Sequence, residues 1–178
     1  MKLRTIIFWI LTLVIADQII KIIINIFFIE NQFEIIPSLF EFRPKFNDKH
    51  NYVNVLLYEN FHINMGLWVH LIIVLTIETI VLILYDSLRS NLVKNRKLLD
   101  TAFVFQLSGV VCNFIGNLIW KNGTLDYIYL KPLFIFDLKD LYNNCFVVLF
   151  LIYFHKNRTE MKTIKMKKLK HYFGKGKE

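Results

Sequence analysis

Residues Ile6–Ile29 read IIFWILTLVIADQIIKIIINIFFI, and across these 24 positions the only charges are Asp17 and Lys21. About 20 apolar residues, rising about 1.5 Å each in a helix, cross the roughly 30 Å hydrocarbon layer of a bilayer. The run therefore reads as a membrane-spanning helix. A cleaved leader would end in small residues, whereas Asp17, Gln18 and Lys21 stand there and the apolar residues continue to Ile29. Three more such runs follow, at Gly66–Tyr85, Thr101–Trp120 and about Asp137–Phe154.

Composition agrees with this pattern. Apolar residues make up 55% of the 178, mean hydropathy is +0.43, and the charged 20% is concentrated between the runs. Disorder is excluded, and two cysteines cannot staple a disulfide scaffold. The expected fold is mainly α and membrane-embedded: four transmembrane helices with a small extracytoplasmic β-rich segment. One membrane domain spans residues 1–155, with outer segments at 30–65 and 121–136, and a basic cytoplasmic tail covers 156–178. Cys112 and Cys145 lie in apolar helical sequence and read as core-filling thiols.

Charge sets the expected orientation. The N-terminus, the link Asp86–Asp100 and the tail His155–Glu178 carry 2, 4 and 9 Lys or Arg, 15 together, against 4 acids. The segments Glu30–Met65 and Lys121–Asp140 carry 6 basic and 8 acidic residues. Positive charge marks the cytoplasmic side, so both termini are expected inside. The lysines at 162, 165, 167, 168 and 170 read as a topology anchor that also meets anionic lipid headgroups. A nucleic-acid surface would want aromatics interleaved with the charge, and only Tyr172 and Phe173 lie near.

Ionisable groups inside a span are costly and point to function or to a named partner. Asp17 and Lys21, four apart, share one helix face within ion-pairing reach. Glu78 reads equally as a group bonded to another helix or as a functional one. A transporter would line a path across the membrane with such charges, whereas here the carboxylates gather at one face. Asn113 and Asn117 also share a face, as helix-packing amides do.

The segment after the third run is the most informative. Asn122-Gly123 reads as a turn, Thr124–Leu130 alternates like a short strand, and Phe136-Asp137-Leu138-Lys139-Asp140 leads into the fourth helix. Asp126 and Asp140 thus return to a similar depth near the outer boundary. Two such carboxylates can share a proton, one activating water and the other protonating a carbonyl, with no metal. The other reading makes Asp140 a helix N-cap and Asp126 a strand-end charge.

These stretches, in this order, resemble the lipoprotein signal peptidase (signal peptidase II) family of bacterial aspartic proteases. Asp17-Gln18-Ile19-Ile20-Lys21 is similar to that family's D-Q-x-x-K. Ile35-Ile36-Pro37-Ser38-Leu39-Phe40 resembles I-P-G-F-F, and Asn47 falls at the asparagine of N-x-G. Ser108–Ile115 is similar to G-G-x-x-G-N-x-x, Gly123–Ile128 to G-x-V-V-D-F-I, and Phe136–Asp140 to F-N-x-A-D. Asp137 stands at that last asparagine, and Gly116-Asn117 replace the family's D-R. The resemblance implies Asp126 and Asp140 as the catalytic pair. It makes Asn113 a group shaping the site, Asp17 and Lys21 buried supports, and Asn47, Asp137 and Asn117 neighbours of the site. It also implies lipid-modified preproteins as substrates, cut before a diacylglyceryl cysteine at the outer face of the bacterial cytoplasmic membrane. Membrane lipids are the only other expected partners, the chain acts as a monomer, and neither cofactor nor metal is needed. The alternative is an inactive relative that binds lipidated chains or a membrane partner without cutting. Reporter fusions after Lys97 and after Lys121 are expected to report opposite sides of the membrane; the same side for both overturns the orientation.

Overall fold

The computed structural model describes residues 1–49, 52–63, 65–91, 94–120 and 122–174. Lys121 and the last four residues of the basic tail lie outside the described residues. Among the described residues, five α-helices and four strands follow in the order α1 (Leu3–Ile23), β1 (Phe33–Ile36), β2 (Phe40–Asn47), α2 (Tyr52–Phe61), α3 (Leu67–Asn91), α4 (Arg96–Leu118), β3 (Thr124–Leu130), β4 (Phe134–Phe136) and α5 (Leu138–Gly174). A π-helical turn, Ile24–Phe28, prolongs α1.

Among the described residues, three helices are long and apolar enough to cross a membrane: Leu3–Phe28, Leu67–Asn91 and Arg96–Leu118. They match the first three expected runs, with α3 and α4 extending well into the basic link. The fourth span is not established in the same way. Lys139, Asp140, Asn143 and Asn144 occupy the first turns of α5, and its unbroken apolar stretch is short. Beyond His155 the backbone continues α5 as helix to Gly174.

α4 is the central helix, packed against α1, α3 and α5. Polar and small residues give it little amphipathic bias, and Ser108, Gly109, Cys112, Gly116 and Asn117 are all buried. A Cβ on Gly109 would overlap the Asn143 side chain of α5, so glycine here sets the helix–helix spacing. Val14, Cys112 and Tyr142 form a core cluster that joins α1, α4 and α5. The Tyr142 hydroxyl donates to the Leu13 carbonyl at 3.0 Å and ties α5 to α1. Both cysteines are free thiols, and Cys112 is fully buried.

The strands form one antiparallel sheet in the order β1-β2-β3-β4. The expected strand Thr124–Leu130 is β3, and the segment after α1 supplies β1 and β2. Strand alternation seats Leu125 and Tyr127 against Ile24 and turns Asp126 to the opposite face. Gly123 opens β3 at φ +88°, where a Cβ would strike the Asn47 backbone; only glycine serves this turn. Helix α2 was not expected from the sequence. Buried Asn54 holds its loop closed: Nδ2 donates to the carbonyls of Lys49 (2.8 Å) and Met65 (3.1 Å), and Oδ1 accepts from Met65 N–H at 2.9 Å.

Gly109→Ala is expected to destabilise the protein by about 1–3 kcal/mol through overpacking. Gly66→Ala is the control, since nothing lies within 4 Å of a Cβ there. Thermal unfolding in detergent checks both, and equal midpoints for the two variants overturn the close-packing role of Gly109.

Candidate functional site

The site is assembled where β3, the start of α5 and the C-terminal half of α1 meet. Residue 137 is the N-cap of α5 and residue 140 its third helical position. Asp140 N–H donates to Asp137 Oδ1 and Asp137 N–H to Asp140 Oδ2, both at 3.2 Å. This reciprocal arrangement is a capping box. The capping role therefore falls first to Asp137, and the local geometry aims both acids at one place. β3 brings the third, so that one carboxylate oxygen from each of Asp126, Asp137 and Asp140 lies within 4.8 Å of the others.

Two buried lysines compensate this negative charge. Lys21 Nζ lies 2.9 Å from Asp17 and 2.6 Å from Asp137, with all three side chains fully buried. Lys139 Nζ lies 2.8 Å from Asp126, 2.9 Å from Asp137 and 3.5 Å from Asp140. Isolated charges would not persist at such burial, because each desolvated ion costs several kcal/mol unless it is paired. The expected Asp17–Lys21 pair is present, and it extends through Asp137 and Lys139 into the acid cluster. The sequence reading places Asp137 only as a neighbour of the site, at the position of the family's asparagine. Its position between two lysines makes it the link of the network instead.

Asp126 and Asp140 differ in exposure. The Asp126 side chain is 6% exposed and that of Asp140 40%. Burial pushes the Asp126 carboxyl above its ordinary range, while the Lys139 ammonium and the Asn47 amide pull the other way. Asn47 Nδ2 donates to Asp126 Oδ2 at 3.1 Å, across the pairing that sets Lys45 opposite Asp126 and Asn47 opposite Thr124. A cavity of about 600 Å³ opens beside these groups; Asp126, Asp140, Lys139, Asn47 and Asn113 line it, with Phe134 and Phe136 adding apolar wall.

The two amides of α4 are brought together. Asn117 Nδ2 donates to both the carbonyl (3.0 Å) and Oδ1 (3.1 Å) of Asn113, whose Oδ1 also lies 3.1 Å from His70 Nε2. Asn113 faces the cavity, and Asn117 braces it from behind. Glu78 sits on α3 with Oε2 accepting from Gln106 of α4 at 3.1 Å, the helix-to-helix bond among its two readings. Lys139 is the residue the sequence reading missed. Its signal was available: it occupies the alanine position of F-N-x-A-D, two residues after an acid replaces the asparagine.

Two solved structures share this fold, each described as a bacterial membrane enzyme. One aligns with TM-score 0.61 and 22% identity over 85% of this chain and 92% of its own. The other gives TM-score 0.59 and 21% identity over 88% and 90%. No curated protein sequence matches this one. The sequence model of the family described as signal peptidase (SPase) II matches residues 9–156, nearly the whole membrane domain and every element of the site, and the chain belongs to that family.

Proposed function

We propose that Asp126 and Asp140 are the catalytic pair of an aspartic endopeptidase that removes the signal peptide from diacylglyceryl-modified prolipoproteins. The observation that carries this is the meeting of the two carboxylates at the wall of one cavity. Family membership supplies the general activity, the processing of lipoproteins by an aspartic-type protease.

The difference in exposure supports a division of labour. Asp140, the more exposed, takes a proton from a water molecule as that water attacks the scissile carbonyl. Asp126, the more buried of the two and held by the Asn47 amide, gives its proton to the carbonyl oxygen. Collapse of the tetrahedral intermediate returns a proton to the leaving amine. The apolar wall of Phe134 and Phe136 suits a lipid-modified substrate. Asn113 shapes the opposite side, and Asp17 and Lys21 hold the scaffold.

The same reading includes a fourth span in the apolar part of α5 and both termini on the cytoplasmic side. The excess of 15 over 6 basic residues supports it. A monomer belongs to the same reading.

A second reading, a non-cutting relative that binds lipidated proteins, is favoured by one observation: Lys139 already occupies both acids through ion pairs. One experiment separates the two. The protein is expressed with a lipid-modified precursor, and the precursor remaining is measured beside a check of folding and membrane insertion. Asp126→Asn and Asp140→Asn are each expected to cut processing by several orders of magnitude, as for one member of a unit that acts together. Wild-type processing by either variant overturns the dyad; a folded wild type that cuts no precursor establishes the binding reading.

A further inference from the structure

In the F-N-x-A-D pattern this chain carries two changes at once: Asp137 for asparagine and Lys139 for alanine. The added acid and the added base are in contact at 2.9 Å, and both are buried. The exchange therefore conserves net charge while inserting an ion pair among the site acids. Lys139 Nζ reaches beyond its partner to Asp126 at 2.8 Å and Asp140 at 3.5 Å, between the two carboxylates of the pair. The 4% exposure of Lys139 leaves no room for an ornamental role, since lysine is almost never so buried without partners.

We propose that Lys139 is a positioning residue of the Asp126/Asp140 pair, bridging the two carboxylates with its ammonium and working as one unit with Asp137. This rests on the proteolytic reading of that pair. The charged groups facing the ammonium are Asp126 from β3, and Asp137 and Asp140 from the start of α5. One contact further, α1 contributes Lys21 and Asp17. From β2 and the loop after it, Lys45, Asp48 and Lys49 line the same cavity. α4 adds uncharged Asn113 and the thiol of Cys112, which lies beside Asp17.

The bridge has signed consequences. The ammonium favours ionised carboxylates, so it lowers the pH range in which the pair carries its single proton. Asp137 opposes it with a charge of the other sign. Removing Lys139 should move both limbs of the pH–activity profile up, and removing the charge of Asp137 should move them down. Unit charges this close interact strongly enough to shift each limb by about one pH unit or more. Removing both should bring the profile back toward wild type. A residue that merely filled space would not produce shifts of opposite sign.

The test is a double-mutant cycle: wild type, Lys139→Met, Asp137→Asn and the double variant, with Lys139→Arg as the charge-keeping control. Cleavage of a lipid-modified precursor is followed across pH, and thermal unfolding in detergent is measured for all five. The inference expects the Met variant shifted up, the Asn variant shifted down, the double variant near wild type and the Arg variant unshifted. It also expects each single change to lower kcat/KM at the wild-type optimum about tenfold or more, with most of that loss regained in the double variant. Shifts of one sign in both single variants, or an unshifted Met variant, overturn it. If wild type cuts nothing, the proteolytic reading falls by itself. The unfolding temperatures then decide: singles lowered and the double variant restored uphold the unit, while additive losses overturn it.

Discussion

The ion pairs run in one continuous line, Asp17 to Lys21 to Asp137 to Lys139 to Asp126, and every member is buried. The line crosses from α1 to the head of α5 and on to β3. No member could remain charged at this burial if its neighbour moved away, since desolvation of each ion is offset only by its partners. Three elements distant in sequence are thereby held to one mutual position. The start of α5 obeys the same constraint: the residue that caps the helix is also the residue that joins the two lysines.

Around this line the apolar structure decides how the elements approach. α4 is lined with small and polar residues because it has helices on three sides, and Gly109 sets the distance to α5 at Asn143. The outer faces of α1 and α3 are different. Phe8, Ile15 and Ile19 on α1, and Trp68, Ile72, Ile80 and Ile83 on α3, project outward. In water such faces would drive aggregation, whereas in a bilayer they are the solvated surface. The sheet sits at the end of this bundle, with Leu125 and Tyr127 anchored on Ile24 and Asp126 turned toward the cavity. Lys131 clamps the far end of the sheet through Glu34 at 2.7 Å and Glu41 at 2.8 Å, in an exposed position where such pairs contribute little stability.

The site joins two opposed requirements. The proposed acid–base pair needs its members close together and one of them shielded from water, as Asp126 is. A cluster of three carboxylates at this spacing would repel itself apart without cations. Lys21 and Lys139 are those cations, and they come from inside the chain. The arrangement is compact because compensation is local: each acid has an ammonium within 3.5 Å.

Much of this was legible in the residues. The length of the first three apolar runs determined three helices long and apolar enough to cross a membrane, since about 20 apolar residues have few other ways to be satisfied. The alternation of Thr124–Leu130 determined a strand, and the four-residue spacing of Asp17 and Lys21 determined their pairing. The family patterns pointed to Asp126, Asp140, Asn113 and Asn47, which the fold gathers round one cavity. Tertiary structure alone decided three things. Helix α2 depends on Asn54 meeting backbone groups of Lys49 and Met65, contacts with no local signature. Asp137 reads only as a neighbour of the site until Lys21, 116 positions earlier in the chain, is brought against it. Lys139 is given no role by the sequence reading, and gains one only when β3 folds Asp126 over it. Local patterns are set by the backbone's own repeat, so a sequence displays them; the partner of a buried charge is chosen by packing between distant segments, and only the folded chain displays that.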